Sequence, residues 1–266
     1  MDNNTSYEEK KARERAWYEQ RPLQDGLLRR ILRHPVVFSY DRILFNYVFP
    51  KRQMAAAVER HLSCTVHRLL IAPCGRGNDF KYIRDLSPHV YGLDLSPIAL
   101  KSCPKQMSVM VGDILKSPYP DEAFDLIAGP LFFHHLLTYG FVPFLREFHR
   151  VLKPGGGIIL LEPSIWYPLN LITRPMKRFL GNPYDEVEDE GPFRPDLLLA
   201  ALREVGFVNI EVQAATFSHC SFYIPLARIV NHLSKVLLRA WPFKYLGWMV
   251  VFWAEKPESI LVTSSC

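Results

Sequence analysis

Residues 68–77 constrain the fold more than any other stretch. They read Arg-Leu-Leu-Ile-Ala-Pro-Cys-Gly-Arg-Gly, an apolar run that closes in a Gly-x-Gly turn. A second apolar run, Val90-Tyr91-Gly92-Leu93, ends in Asp94. A buried strand that stops at glycines lets backbone N–H groups approach a ligand closely. An acid at the tip of the next strand can take both hydroxyls of a ribose. The glycine pair alone is a weak signal. Together with the spaced acid and the strands after it, the pair points to a nucleoside-bearing cofactor.

The rest of the chain follows the same rhythm. Apolar β-like runs fall at 67–72, 89–93, 107–111, 124–128 and 157–161, separated by helical or turn segments at 78–86, 97–101 and 138–152. Short apolar strands alternating with helices imply a parallel sheet covered on both faces. Pro195 to Gly206 reads as a helix with Asp196 as N-cap and Gly206 as its stop. Phe207 to Val212 and Trp248 to Glu255 read as further strands. Upstream, residues 6–20 and 25–33 read as helices, and Pro50 opens another over 51–62. The expected architecture is α/β: a doubly wound, seven-stranded, mostly parallel sheet with helical cap insertions. The domain reading is a helical cap over 1–62, a domain over 63–256 that binds the nucleoside-bearing cofactor, with cap insertions at about 164–194 and 217–247, and a tail over 257–266.

Composition excludes some functions. Of 266 residues 48% are apolar, enough for a full core. The formal charge of +5 is too mild to argue for nucleic acid. Five cysteines, Cys64, Cys74, Cys103, Cys220 and Cys266, show no metal-ligand spacing, so a reduced, cytoplasmic setting and no metal are expected. The polar N-terminus has no secretory pattern, and no apolar run is long enough to span a membrane.

With these segments in hand, the chain resembles the class I S-adenosylmethionine-dependent methyltransferases, and within them the ubiquinone/menaquinone-type group. Leu69 to Gly77 resembles the glycine-rich first motif, and Tyr91-Gly-Leu-Asp94-Leu-Ser96 the second. Val111-Gly-Asp113-Ile114 resembles the third. Phe124-Asp125-Leu-Ile-Ala resembles strand four, and Leu152-Lys-Pro-Gly-Gly-Gly157 the turn before strand five. The likeness covers 66–162 well and 195–256 loosely. It implies S-adenosyl-L-methionine as cofactor, held by Ala72, Pro73, Cys74, Gly75 and Gly77, by Asp94 and Leu95 at the ribose, and by Asp113 and Ile114 at the adenine. Pro130 after strand four and Tyr18 from the N-terminal cap join them. Two departures stand out: Ile71 where the family usually has an acid, and Pro73 where it usually has a first glycine.

Gly129-Pro-Leu-Phe-Phe-His134-His135-Leu136 follows strand four. In similar enzymes this segment faces the methyl acceptor. A neutral imidazole there can take a proton from a hydroxyl, which makes His134 and His135 the candidate catalytic bases. Packing and loop hydrogen bonding is the alternative role for both. No N-P-P-Y type tetrapeptide follows strand four, which argues against amino methylation of DNA bases or glutamine side chains. Phe80 stands where a dinucleotide-binding loop would carry its third glycine, which disfavours a nicotinamide dehydrogenase.

Two segments remain. Leu226, Ile229, Val230, Leu233, Val236, Leu237 and Ala240 recur at helical spacing, opposite Arg228, Asn231, His232, Lys235 and Arg239. That is a basic amphipathic helix. Leu169 to Leu180 makes a rougher copy. The expectation is a cap, apolar inside, that covers the acceptor site, with a peripheral membrane contact as the second use of these helices. The function read from the sequence is methyl transfer to an oxygen or carbon nucleophile of a small or lipid-linked acceptor. The alternative is a methyltransferase-fold protein that binds without catalysis.

Overall fold

The structure, a computed structural model, describes residues 7–12, 40–62, 65–171, 190–220 and 222–258. Seven strands form one sheet in the order β3-β2-β1-β4-β5-β7-β6. They are β1 (Arg68–Ile71), β2 (His89–Asp94), β3 (Met107–Val111), β4 (Phe124–Pro130), β5 (Leu152–Pro163), β6 (Val208–Thr216) and β7 (Met249–Glu255). β1 to β5 run parallel, and β7 lies antiparallel to both β5 and β6. The main helices are α1 (Tyr40–His61), α2 (Phe80–Ile83), α3 (Pro97–Leu100), α4 (Val142–Val151), α5 (Pro195–Val205) and α6 (Ile224–Leu237).

The strands are apolar on both faces because both faces are covered. Alternation then sorts each strand between two cores. Leu70, Ile158, Leu160, Val250 and Phe252 face the layer of α4 and α5, with Phe144, Phe148, Leu198 and Leu202 opposite. Leu69, Ile71, Ile159, Leu161, Val251 and Trp253 face the layer of α1 and α2, meeting Met54, Val58, Phe80 and Ile83. Gly157 is required for that packing. A Cβ there would lie 2.2 Å from the Trp253 ring.

Three local expectations need correction. The helix expected over 51–62 starts at Tyr40 and carries Pro50 inside. Long-range anchoring overrides the proline signal: the Asn46 amide one turn earlier donates to the carbonyls of Cys220 and Phe222. The N-cap of α5 is Arg194, with Pro195 in the first turn and Asp196 bonded to the Arg194 guanidinium. β5 already begins at Leu152, because residues 152–156 continue the strand through the glycine turn. Gly206, by contrast, closes α5 in the left-handed conformation at φ 99°, as read.

A candidate active site at the carboxyl ends of the strands

In an open α/β sheet the ligand crevice lies beyond the carboxyl ends of the strands. The glycine loop leaves β1 there. Ala72 N–H donates to Ala128 O, and Cys74 N–H donates to Leu93 O, so the loop is stitched to β4 and β2. Gly75 and Gly77 take positive φ, 52° and 71°. Cys74 is buried, and burial pushes its thiol well above the usual range. Pro73 is half-buried, and Ile71 is fully enclosed in the core. Gly77 proves tight for an internal reason. A Cβ there would lie 2.6 Å from Pro104, so the loop cannot take a branched residue whether or not a ligand approaches.

Asp94 ends β2 and is buried. Its Oδ2 accepts from Gly75 N–H at 2.7 Å, and its Oδ1 accepts from Ser96 N–H at 2.9 Å. The acid is therefore tied to the glycine loop. Half-buried Leu95 follows it, and buried Ser96 caps α3 by accepting from Ala99 N–H. Asp113 follows β3. Its Oδ1 accepts from Leu115 N–H at 2.9 Å, capping the short turn that starts at the buried Ile114. The same carboxylate accepts from Tyr7 Oη at 3.1 Å and from Lys11 Nζ at 2.8 Å.

Those last contacts come from residues 7–12, a helical stretch laid across this end of the sheet. Tyr7 packs edge-on to Tyr139 and Phe144. Burial and the Asp113 charge push its hydroxyl far above the usual tyrosine range, so it stays a donor. Tyr18, expected to fold over the cofactor, lies outside the described residues. The described N-terminal aromatic that meets Asp113 is Tyr7. Nothing in the local sequence singled it out, since the partner is more than 100 positions away.

The third group follows β4. Pro130 is buried at the strand end, and Leu131 takes the left-handed conformation at φ 57°. A leucine there costs about 1–3 kcal/mol and must be held by its surroundings. Glu162, at the end of β5 and 1% exposed, supplies the hold. Its Oε1 accepts from the N–H of Phe132 and of Phe133, both at 2.7 Å, and its Oε2 accepts from His134 N–H at 3.3 Å. His134 Nδ1 lies 2.8 Å from the same Oε2. An ionised carboxylate only accepts, so Nδ1 carries the hydrogen and Nε2 is the basic nitrogen of the neutral ring.

His135 also has a carboxylate beside it, in an ion-pair contact that lacks the hydrogen-bond geometry seen at His134. Its Nδ1 lies 2.8 Å from Glu190 Oε1, and Lys10 Nζ approaches the same oxygen at 3.5 Å. The two imidazole centroids are 4.1 Å apart. Glu190 was legible only as the last residue of an acidic run, and its role depends on the chain returning beside β5. Phe193 bridges Ser164, and Gly191 N–H donates to His134 O. Among the described residues no cluster could hold a metal ion.

The strand order, the glycine loop and the acids at neighbouring strand ends define the class I methyltransferase fold. Residues 70–160 match the family model described as a methyltransferase domain. The chain is 30% identical over 134 residues to an uncharacterized methyltransferase of Geobacillus kaustophilus (strain HTA426), covering 47% of this chain and 62% of that protein. It is 29% identical over 163 residues to the demethylmenaquinone methyltransferase of the same organism, covering 52% and 68%. A crystal structure of a Thermotoga maritima S-adenosylmethionine-dependent methyltransferase, described as a possible histamine N-methyltransferase, superposes with a TM-score of 0.60 at 19% identity, covering 86% of this chain and 99% of that one. The chain thus has the class I methyltransferase fold and carries, over residues 70–160, a match to a methyltransferase domain.

Proposed function

We propose that the protein transfers a methyl group from S-adenosylmethionine to an oxygen or carbon nucleophile of a small or lipid-linked acceptor. The observation that carries this reading is the pair of histidine–carboxylate contacts, His134–Glu162 and His135–Glu190, at the same sheet edge as Asp94 and Asp113. The donor set fits the cofactor. A carboxylate can accept about four hydrogen bonds, so an Asp94 oriented by two amides still suits a ribose diol. Asp113 and Ile114 supply an acceptor and an apolar wall for the adenine. Ala72, Pro73, Cys74, Gly75 and Gly77 form the turn that brings the backbone close, and Leu95 and Pro130 flank it.

When bound, the cofactor supplies a methyl carbon already activated by its sulfonium. The protein has to hold a nucleophile in line and keep water away. Glu162 fixes the tautomer and direction of His134 and holds the strained turn after Leu131. Glu190 places a second carboxylate beside His135 Nδ1. Either Nε2 can take the proton of a hydroxyl acceptor or an acidic carbon. The segment 7–12 lies over Asp113 and Glu190 and shields that side from water. One relative is named for demethylmenaquinone, which supports a quinone-like or lipid-linked acceptor for this chain too.

Calorimetric titration with S-adenosylhomocysteine tests the cofactor half. Asp94→Ala should bind at least about tenfold more weakly, since hydrogen bonds to a charged group are worth about 1.5–3 kcal/mol each. No binding to the unchanged protein at millimolar ligand would favour the binding-only alternative, which the apolar Ile71 and Pro73 motivate. For the acceptor half, His134→Ala or His135→Ala should cut turnover by about 10²–10⁴ with cofactor affinity kept. Full turnover in both would remove the base assignment.

A further inference from the structure

Helix α6 is built inside out. Leu226, Ile229, Leu233 and Val236 share one helix face and are 46%, 60%, 57% and 78% exposed. The face turned inward is small and polar: Ala227, Asn231 and Ser234. Its polar groups are satisfied. Thr216 Oγ1 donates to Asn231 Oδ1 at 2.6 Å, Ser234 Oγ donates to Val230 O at 2.7 Å, and Phe217 N–H donates to Ser234 Oγ at 3.3 Å. The inward orientation is therefore fixed by hydrogen bonds, and the outward apolar stripe cannot turn over to hide. The expectation of a stripe that faces a cap interior is corrected by these exposures. Just past the helix, Trp241 is 79% exposed.

We propose that this face is a docking surface for an anionic lipid bilayer, with α6 lying in the plane of the interface. Three observations select that occupant. First, the charge is one-sided: Arg228, Lys235, Arg239 and Lys244 lie along the segment, and no Asp or Glu occurs between residues 217 and 254. Second, an aliphatic stripe with basic residues beside it and a tryptophan at its end is the composition of interfacial helices, whose apolar face sinks to the headgroup boundary while Lys and Arg meet anionic lipid. Third, at about 1.5 Å per residue the 14 residues of α6 are too short to cross a bilayer, and no helix of the described residues is long and apolar enough to do so.

The position gives the contact a use. The excursion leaves the sheet at Thr216 and returns at Trp248, where Trp248 N–H donates to Thr216 O. Its far end reaches the end of β5, where Ser164 Oγ donates to Tyr245 O. These are carboxyl-end positions, the edge that carries Glu162. A lipid-linked acceptor would pass from the bilayer to that edge without entering water. This use rests on the proposed methyl transfer, whereas the docking itself does not.

Co-sedimentation of the full chain with vesicles decides the matter, using phosphatidylcholine alone and phosphatidylcholine mixed with phosphatidylglycerol. Binding should favour the anionic vesicles and weaken with added salt. The triple substitution Ile229→Ser, Leu233→Ser, Val236→Ser should weaken it at least about tenfold. So should Arg228→Glu, Lys235→Glu, Arg239→Glu. S-adenosylhomocysteine titration of the same variants should be unchanged, so a failure of docking is separable from a failure of the methyltransferase reading. The charge variant keeps the test valid if the serine variant folds poorly. No vesicle binding at low salt would overturn the proposal, as would binding that survives both triples. A dimer of the unchanged protein that the serine variant turns into monomer would also overturn it, and would assign the face to a second copy.

Discussion

Helices α4 and α6 are both amphipathic, yet they use their apolar faces in opposite ways. In α4, Phe144, Leu145, Phe148 and Val151 point into the sheet, and Phe148 packs against Phe132 and Phe133 behind the His134–His135 turn. Its charged residues stay outside in ion pairs, as with Arg150 beside Glu147 and Asp121. In α6 the leucine and isoleucine point out, while an asparagine and a serine are buried. The stripe in a sequence says that one face differs from the other. Which face turns inward depends on what the neighbouring elements offer. The sheet offers α4 an apolar surface. Thr216 and the Phe217 amide offer α6 a polar one, the first donating to Asn231 Oδ1 and the second to Ser234 Oγ.

That contrast can be broken by measurement. The largest effect belongs to α4: Phe148→Ala should destabilise the fold by about 3–5 kcal/mol in urea unfolding, because a closed core cannot refill an aromatic cavity. A loss below about 1 kcal/mol would show that α4 is not the core helix argued above. Next comes the polar face of α6. Asn231→Ala should cost about 1–3 kcal/mol, since it strands the buried Thr216 hydroxyl. A neutral or stabilising result would mean that α6 is not held by its polar side.

A smaller effect, confined to acid, concerns Asp125 on β4, which is bonded to Lys153 on the strand that α4 leads into. Asp125 accepts from His67 and Arg68 N–H and from Lys153 Nζ at 2.6 Å. Burial works to raise its pKa, but Lys153 and the two amides outweigh burial and hold it below the usual 3.8. A depressed folded pKa adds stability that is fully present above the unfolded value and is lost as pH falls through the folded one. Asp125→Asn should therefore flatten the fall in stability between about pH 4 and the acid limit, measured by unfolding midpoints. An unchanged acid limb would remove the assignment. The smallest effect is on the outer face of α6. Leu233→Ser should change stability by no more than about 0.5 kcal/mol, as for surface sites generally. A loss of several kcal/mol would show that the stripe is covered in the folded protein and would close the contrast.

How legible the site was follows the range of its contacts. Gly75, Gly77 and Asp94 were readable because strand, turn and acid are local patterns, and the Gly75–Asp94 hydrogen bond joins the two motifs read together. His134 and His135 were readable as a pair after β4. Their carboxylate partners were not assigned from the residues alone. Glu162 lies 28 positions from His134, and Glu190 closes an acidic run that names no partner by its composition. Tyr7 and Lys11 reach Asp113 across more than 100 positions, a distance that periodicity does not see.

By itself, then, the sequence determined the alternation of strands and helices, the seven-stranded sheet, the glycine loop, the acid at the end of β2 and the histidine turn. All of these are written in local periodicity and turn chemistry, which one chain carries without reference to its fold. The tertiary structure alone decided three further things: which carboxylate lies beside each histidine, that the described N-terminal residues meet Asp113, and that α6 turns Leu226 and Leu233 outward. Each depends on what lies opposite a side chain after folding. Burial free energy follows the partner surface, and buried polar groups require partners that only the assembled sheet brings within reach.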